Sequence, residues 1–401
     1  MRTRLCALAL TLVLPACESG TRTADDEPAT VTFSDSAGIA IVTNTGPRWG
    51  ADEGWRVPDT PLLSVGDAES SSNEAFDQIG HVAQLDDGRI VVLDQRARVM
   101  SYFDADGGFL RTFGSAGEGP GEFNGFELLG LRADTIWIAD ERQRRVTAVT
   151  GSGDLGEVVT VAVDNMRNGV VGLLPDGSWI VATDLLFSGP PPEMNGLMRF
   201  EAAYLRGDLQ GAPVDTILRA PGNEAIVRST SATVEIMGPL LHREVSHAIW
   251  NGQLAQSSQE TAEIGVYDPD GTLRRLIRLP DEDLLIDDQA YAELAEVRIA
   301  AVPEPARPGM RMVFEEMPRP DRRAPFTTFL TDSEGHLWVR DFSYAPESHD
   351  WQVLDPDGAL LGIVTVPDGF RPTQILDDRM AGVYTDEFDV QYARLYKLER
   401  F

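Results

Sequence analysis

The sequence predicts an all-β fold in which small antiparallel sheets repeat along the chain. A turn recurs before each of the strongest strands, at Gly88, Asp134, Gly177, Gly252, Gly335 and Asp378. Three of the five intervals between these turns are close to the roughly 40–45 residues of a four-stranded propeller blade. A short apolar run ending in Asp follows most of the turns, which is typical of a strand buried on both faces. Helical periodicity is scarce, so we expect a six-bladed β-propeller over residues 30–401.

The six blades can be placed from these landmarks. They are expected at Glu74 to Gly114, Gly121 to Val163, Gly169 to Gly222, Val234 to Pro280, Ala324 to Pro367 and Phe370 to Phe401. The last blade is one strand short, and residues Asp35 to Val42 carry the same pattern of a turn followed by a strand. We therefore expect this N-terminal strand to complete the last blade and close the ring, which would pair two exposed sheet edges.

Two long intervals indicate insertions, at about 185–233 and about 281–323. The second contains the one clear helical pattern, Asp287 to Ala301, between blades four and five. In this segment Ala290, Leu294, Val297 and Ala301 fall on one helical face, Asp287 is suited to the N-cap, and Pro303 ends the pattern. The first insertion is expected to contain an extended hairpin from Leu197 to Leu218.

Three acidic turns have the sequence pattern of a calcium loop. They are Asp104 to Gly107, Asp268 to Gly271 and Asp355 to Gly358. An EF-hand loop needs a Glu eleven positions after its first Asp, where this chain has Ser115, Leu279 and Val366. We therefore expect tight hairpin turns with Gly at positive φ.

The N-terminus has the features of an export signal. Arg2 and Arg4 precede an apolar run from Leu5 to Leu14, which is too short for a stable membrane-spanning helix. The segment that ends in Ala16 and Cys17 resembles the lipobox of bacterial lipoproteins, which implies a signal peptide at 1–16 and a lipidated Cys17. Residues 17–29 would then form a polar tether. The alternative is an ordinary cleaved signal followed by an incidental Cys.

The charge balance excludes several classes of function. The chain has 64 acidic and 34 basic residues, a formal net charge of −30, so a nucleic-acid partner has no electrostatic basis. Lys397, four residues from the C-terminus, is the only lysine. Functions that depend on a P-loop lysine or a Schiff-base lysine are therefore almost excluded. The two cysteines, Cys6 and Cys17, both belong to the export region, so Cys-based catalysis and Cys-ligated zinc are excluded.

One segment carries a family resemblance. The glycine-rich stretch from Phe113 to Phe123, preceded by the strand from Asp87 to Asp94, resembles the NHL-type repeat of six-bladed propellers. With the lipobox, the layout is similar to lipobox-bearing six-bladed β-propeller proteins of environmental bacteria. The full glycine-rich signature occurs once, and later blades keep only the turn, the strand and the terminal Asp. The resemblance implies a rigid ring with ligand sites at one end.

The acids that end the second strands are the most regular polar feature. They are Asp94, Asp140, Asp184, Asp341 and Asp386, and they would form an acidic rim where propellers bind ligands. The alternative is structural, because such an Asp often accepts hydrogen bonds from its own following turn. The neighbouring Arg98 and Arg145 would then pair with these carboxylates. We take all seven residues as ligand-binding candidates with this alternative open.

A metal site has only weak support. If residues 242–247 form a strand, His242 and Glu244 lie on one face and His247 on the other, so the three cannot meet at one ion without a bulge. A divalent metal held by His242 and Glu244 therefore remains a hypothesis without a motif behind it. Phe187, Tyr344 and Trp351 are aromatic residues expected on loops, where they would stack on a sugar or peptide, or pack between blades.

These observations favour a non-catalytic binding platform on the cell envelope. The lipid would anchor it to a membrane on the periplasmic or cell-surface side, and an envelope protein, peptide or glycan would be its partner. The alternative is a metal-assisted hydrolase or lyase that acts at the mouth of the propeller channel. No sequence motif identifies a nucleophile, a substrate or a cofactor.

Overall fold

The computed structural model describes residues 30–50, 52–66, 75–160, 170–184, 195–210, 215–229, 234–280, 283–343 and 349–401. Over these residues the chain is mostly β, as the sequence predicts. The expected signal peptide, Cys17 and the tether lie outside the described residues. In the described part, no helix combines the length and apolar character needed to cross a membrane.

Most strands belong to sheets of four to six strands, which we number 1 to 6 by the chain order of the strand that is named first for each sheet below. Sheet 1 contains Ile79–Gln84, Ile90–Asp94, Val99–Phe103 and Phe109–Phe113, and sheet 2 contains Glu127–Arg132, Thr135–Asp140, Arg145–Thr150 and Leu155–Thr160. Sheet 3 contains Val170–Leu173, Trp179–Asp184, Asn195–Gly207, Asp215–Ser229 and Val234–Met237. Sheet 4 contains Ser246–Trp250, Gln253–Ser257, Glu263–Tyr267, Leu273–Arg278, Ile39–Asn44 and Val31–Ser36.

The remaining strands form two further large sheets and two small ones. Sheet 5 contains Phe326–Thr331, Leu337–Asp341, Asp350–Leu354 and Leu360–Thr365, and sheet 6 contains Phe370–Ile375, Arg379–Thr385, Gln391–Lys397 and Leu63–Val65. Ser115–Ala116 pairs with Glu122–Phe123 in parallel, and Trp55–Arg56 pairs with Glu399–Arg400 in antiparallel orientation.

Apolar clusters lie between successive sheets. Six clusters each join residues of two neighbouring sheets: Val91 with Ile138, Trp137 with Trp179, Tyr204 with Leu254, Trp250 with Leu337, Trp338 with Phe370, and Ala381 with Val92. The last of these clusters joins sheet 6 to sheet 1. The second strands supply many of these side chains, so their apolar runs are buried on both faces as predicted.

The acidic turns are tight hairpins, as predicted. In the first, the backbone N–H of Gly107 donates to the carbonyl oxygen of Asp104 at 3.1 Å, and Gly107 has a φ of 90°. The Asp104 carboxylate accepts from the backbone of Gly108 at 2.7 Å. The turns at Gly271 and Gly358 have the same hydrogen bond and positive φ. The carboxylates therefore stabilise turns, which accounts for the calcium-like pattern.

The expected pairing of the N-terminal strand is wrong. Residues 35–42 belong to a hairpin whose second strand, Ile39–Asn44, runs parallel to Leu273–Arg278 at the edge of sheet 4. Side-chain bonds fix this position, because Asn44 Nδ2 donates to the carbonyl oxygens of Arg278 and Gly358, each at 3.1 Å. A later segment, Leu63–Val65, pairs instead with the last long strand of sheet 6.

The boundary between the third and fourth blades is also wrong. Val234–Met237 pairs with the end of Asp215–Ser229 and so extends sheet 3. The long strands Asn195–Gly207 and Asp215–Ser229 form the extended hairpin predicted for this region, with larger bounds. Their length reaches past the other strands of sheet 3 and leaves room for one more strand.

The helical excursion lies between sheets 4 and 5, as predicted. Helix α1, Asp288–Ala301, has Asp287 as its N-cap, and the Asp287 carboxylate accepts from the backbone of Ala290 at 2.7 Å. The buried face consists of Tyr291, Ala295 and Ile299, whereas Val297 of the predicted face is 55% exposed. The 3-10 turn Glu304–Ala306 and helix α2, Arg307–Glu316, follow.

Candidate functional site

We call the strand that was named first for each of sheets 1 to 6 its inner strand, so that Ser246–Trp250 and Phe370–Ile375 are the inner strands of sheets 4 and 6. From Glu127–Arg132 onward each inner strand contacts the next, and Phe370–Ile375 contacts Ile79–Gln84. The second strand of each sheet is antiparallel to the first, so it ends where the inner strand begins. The predicted acids and the starts of the inner strands therefore share one end of the sheets, which we call the strand-start end.

The carboxylates of Asp94 and Asp140 accept hydrogen bonds from the backbone around them. The Asp94 carboxylate accepts from the backbone N–H groups of Asp77 at 2.6 Å and Ala97 at 2.9 Å, with further bonds from Gln78 and Arg96. Asp140 is 0% exposed and accepts from Asn124, Gly125 and Gln143 at 2.8 to 2.9 Å. Each carboxylate joins its own turn to the segment that leads into the inner strand, which is the structural alternative.

The three other predicted acids have different surroundings. Asp386 accepts from the backbone of Phe388 and Val390, each at 2.9 Å, and from the Tyr392 hydroxyl at 3.2 Å. Burial acts to raise the pKa of Asp386, but these hydrogen bonds outweigh burial and hold the pKa below its usual value. Asp341 accepts from Gln352 Nε2 at 2.6 Å. The backbone of Asp184 pairs with Ala202 in sheet 3.

The two predicted arginines differ, because Arg98 bonds through its own backbone N–H and Arg145 through its side chain. The backbone N–H of Arg98 donates to the carbonyl oxygen of Asp94 at 2.8 Å, and Arg98 has a φ of 59°. Arg145 Nη2 donates to the carbonyl oxygens of Gly119, at 3.2 Å, and Glu122. Within the described ranges neither arginine forms an ion pair with the predicted aspartates. Arg145 instead holds the glycine-rich segment that resembles the NHL repeat.

His242 and Glu244 meet, although not on a strand. Both lie in the loop before Ser246–Trp250, and His242 Nε2 is 2.6 Å from Glu244 Oε1. His242 Nδ1 is 2.7 Å from the carbonyl oxygen of Pro239. Two acceptors favour the doubly protonated ring, and the Glu244 hydrogen bond raises the pKa of His242. Among the described residues, no three His, Cys, Asp or Glu side chains are grouped as a metal site.

A cavity that sequence analysis did not predict lies among the inner strands at the strand-start end. Its volume is about 170 Å³. The polar and aromatic side chains that line it, which define the inner-strand cavity, are His81, Thr328, Arg340, Trp351 and Arg371. Leu330, Pro372 and Thr373 complete the lining. Trp351 is a buried strand residue, not the exposed loop residue expected from the sequence; Phe187 and Tyr344 lie outside the described residues.

A larger cavity of about 770 Å³, which we call the outer cavity, shares Arg340 and Arg371 with the first. Its lining also includes three acids, Asp368, Asp386 and Glu387. Of the predicted acids, Asp386 lines the outer cavity and does not line the inner-strand cavity. The two cavities therefore differ in charge although they adjoin the same pair of guanidinium groups.

Backbone and side-chain bonds hold both guanidinium groups in place. Arg371 Nη2 donates to the carbonyl oxygens of Ile79 at 3.1 Å and Gly80 at 3.3 Å, which joins sheet 6 to sheet 1. Arg340 Nη2 donates to Nδ1 of His349 at 3.0 Å. An Arg has five N–H donors, so each group keeps donors beyond these bonds.

The site disfavours added positive charge. Burial lowers the pKa of Arg340, and burial together with the charge of Arg340 lowers the pKa of Arg371. Burial, reinforced by Arg371, lowers the pKa of His81 to about 3, so this ring is neutral at pH 7. The indole Nε1 of Trp351 is buried without a hydrogen-bond partner. The cavity thus combines two charged donors with a neutral histidine.

Comparisons with known proteins give the fold and little more. No protein-family model matches the chain, and no curated protein matches its sequence. A DUF4221 family member from Bacteroides vulgatus is structurally similar, with a TM-score of 0.53, 10% sequence identity and coverage of 88% of this chain and 100% of that one. A protein from Bacteroides fragilis, provisionally described as exported, has a TM-score of 0.49, 10% identity and coverage of 90% and 99%.

A catalytically inactive virginiamycin B lyase from Staphylococcus aureus, solved with quinupristin, is also similar. Its TM-score is 0.39, with 11% identity and coverage of 85% of this chain and 99% of that one. At such identities, likeness indicates architecture and not activity. The chain is a mostly β protein built from several antiparallel sheets, and its function has to be argued from its own residues.

Proposed function

We propose that this chain is an exported, lipid-anchored six-bladed β-propeller that binds a small ligand at the strand-start end without chemically altering it. The single observation that carries the binding role is the inner-strand cavity, where Arg340, Arg371 and Trp351 keep donor groups without protein partners. The Trp351 indole N–H is buried, and a buried donor without a partner costs free energy that a bound ligand can offset.

The six sheets and their contacts support the closed ring. Sheet 6 is joined to sheet 1 by the Thr373 hydroxyl, which accepts from the backbone of Val82 at 3.1 Å and lies 2.7 Å from the Val82 carbonyl oxygen. Gln374 Oε1 accepts from the backbone of Gln84 at 2.7 Å. In this proposal Leu63–Val65 supplies the outer strand of the last blade, in the place that residues 35–42 were expected to take.

Export and anchoring rest on the N-terminal sequence. Arg2 and Arg4, the apolar run to Leu14 and the position of Cys17 support signal cleavage and lipidation. The net charge of −30 argues that acyl chains, not basic residues, would hold the protein at a membrane, because anionic headgroups would repel its surface.

Filling the inner-strand cavity tests the binding role. Thr328→Trp would place an indole in the cavity, whereas Ile363→Trp changes an exposed position on the outer strand of sheet 5. The natural protein and both variants are screened against a panel of envelope-derived metabolites, peptides and glycan fragments, and the rise in melting temperature reports binding. Bound compounds are then recovered, and their masses are measured by mass spectrometry. We expect compounds that stabilise the natural protein and Ile363→Trp, fail to stabilise Thr328→Trp, and are recovered unchanged.

Two results would refute this proposal. One is that every stabilising compound also stabilises Thr328→Trp, which would place binding elsewhere. The other is that bound compounds are recovered cleaved or rearranged, which would make the protein an enzyme. Urea unfolding of both variants shows whether each retains the fold.

A further inference from the structure

We propose that the inner-strand cavity binds a single oxyanionic group, a carboxylate or a phosphate, between the guanidinium groups of Arg340 and Arg371. This inference rests on the binding role proposed above and names the chemistry of its ligand. Four properties of the described residues support it: the charge of the lining, the hydrogen bonds that hold its donor groups in place, its size, and the charge of the adjoining outer cavity.

The lining is positive in a protein that is strongly negative. The described residues around the inner-strand cavity include two arginines and no acid. Arginines elsewhere commonly have an acidic partner, as where Arg243 forms an ion pair with the buried Glu224. Across the described ranges, neither Arg340 nor Arg371 has a carboxylate oxygen within ion-pair distance. Two neighbouring, partly desolvated cations without a counter-charge favour an anion between them.

The donors of the cavity suit an oxyanion. Arg371 is fixed by Ile79 and Gly80, and Arg340 is fixed by His349, so the planes of both guanidinium groups are set before a ligand arrives. A fixed guanidinium binds carboxylate or phosphate oxygens through two parallel N–H bonds. Trp351 adds a buried indole N–H without a partner. A preorganised group of donors binds an anion with little loss of side-chain entropy.

The size and surroundings of the cavity restrict the rest of the ligand. A volume of about 170 Å³ accommodates one carboxylate or phosphate group with a few bound waters. The remainder would lie in the outer cavity of about 770 Å³, where Asp368, Asp386 and Glu387 repel further negative charge. We therefore infer a small molecule with one anionic group and a neutral or cationic remainder.

Calorimetric titration of the purified full chain tests this inference. The probes are acetate and inorganic phosphate, with acetamide as the neutral analogue of acetate, in a buffer free of other oxyanions. We expect acetate or phosphate to bind and acetamide not to bind. Arg340→Gln removes one guanidinium that makes no contact between sheets 6 and 1. We expect this variant to bind the anion with an affinity about tenfold lower, or lower still.

Two further variants keep the test decisive. Arg311→Gln removes an exposed arginine on helix α2 that pairs with Glu296, and we expect it to bind the anion as the natural protein does. If Arg340→Gln unfolds, Arg340→Lys retains the charge without the planar fork and should bind more weakly than the natural protein. The Trp351 indole N–H resonance, assigned with Trp351→Phe, should shift when the anion is added.

The outcomes separate this inference from the binding role. Binding of phosphate alone, or of acetate alone, supports the inference and identifies the class of anion. It is overturned if neither anion binds, or if binding is unchanged by Arg340→Gln. The anion titration could fail while some panel compounds still bind the natural protein and do not bind Thr328→Trp. The binding role would then stand, and only the anionic class of the ligand would be wrong. If no such compound exists, both proposals fall.

Discussion

Mild acid should destabilise the fold through two half-buried histidines that the folded chain keeps neutral. Burial, together with Arg371, lowers the pKa of His81 to about 3, and burial lowers that of His247 to about 4, from an ordinary value of 6.5. His247 lies against Tyr204, whose hydroxyl is 3.4 Å from His247 Nδ1. Between these values the unfolded chain binds protons that the folded chain does not, so the stability falls as the pH falls.

The size of the effect follows from the two pKa values of each ring. Between pH 6 and pH 5 the linkage relation gives a loss of about 1.2 kcal/mol per histidine, or about 2.4 kcal/mol for both. Urea unfolding, followed by tryptophan fluorescence at each pH, measures the free energy of unfolding. From pH 6 to pH 5 the free energy of unfolding should fall by about 2.4 kcal/mol less in the double variant His81→Gln with His247→Gln than in the natural protein.

A third histidine provides the matched control. The Glu244 hydrogen bond raises the pKa of His242, so His242 stabilises the fold below pH 6.5 and loses this effect as the pH rises through its folded pKa. Between pH 6 and pH 5 it is mostly protonated in both states, and His242→Gln should leave the loss nearly unchanged. Glu127, whose pKa burial raises, opposes the loss but is present in every protein compared. Equal losses in the natural protein and the double variant would refute the reasoning.

Two other predictions concern the predicted acids and the anchor. Asp140→Asn removes a charged acceptor from the backbone N–H groups of Asn124 and Gly125, and urea unfolding should show a loss of about 3 kcal/mol; a variant of unchanged stability would contradict the structural role. Cys17→Ser should move the protein from the membrane fraction to the soluble fraction. Cys6→Ser should leave the protein in the membrane fraction, and mass spectrometry should show a diacylated N-terminal peptide. A natural protein found in the soluble fraction would contradict lipidation.

The repeated turns could be predicted because their causes are local. Gly107 and its counterparts need positive φ, and a preceding Asp can accept hydrogen bonds within the same turn, so a few adjacent residues determine the conformation. The N-cap of helix α1 at Asp287 is local in the same sense. Its buried face is not, because packing against other parts of the chain places Tyr291, Ala295 and Ile299 inward.

Strand partners could not be predicted in the same way. A turn followed by a strand at residues 35–42 has no local property that distinguishes sheet 4 from sheet 6. The choice depends on Asn44, whose side chain reaches carbonyl oxygens more than 200 residues away. The strand that pairs with sheet 6, Leu63–Val65, is three residues long and is too short to show alternation.

The same distinction explains why the sequence pattern predicts the regular acids as site candidates and does not predict the arginines. Asp94 and Asp140 recur because each blade-like unit needs an acceptor where its second strand turns, and their hydrogen bonds are complete within the protein. Arg340 and Arg371 follow no repeat. Arg340 stands beside the buried run of Leu337, Trp338 and Val339, where a charge costs free energy unless something compensates it.

A cost that the scaffold does not require is a better indicator of function than a feature that the scaffold repeats. Nothing in the four-strand pattern needs a guanidinium at Arg340, and burial together with the charge of Arg340 lowers the pKa of Arg371. Natural sequences depart from local consistency chiefly at functional sites. If the two arginines served only to join sheets, the backbone bonds of Arg371 to Ile79 and Gly80 would suffice, and Arg340 would be dispensable. An anion between them would account for both.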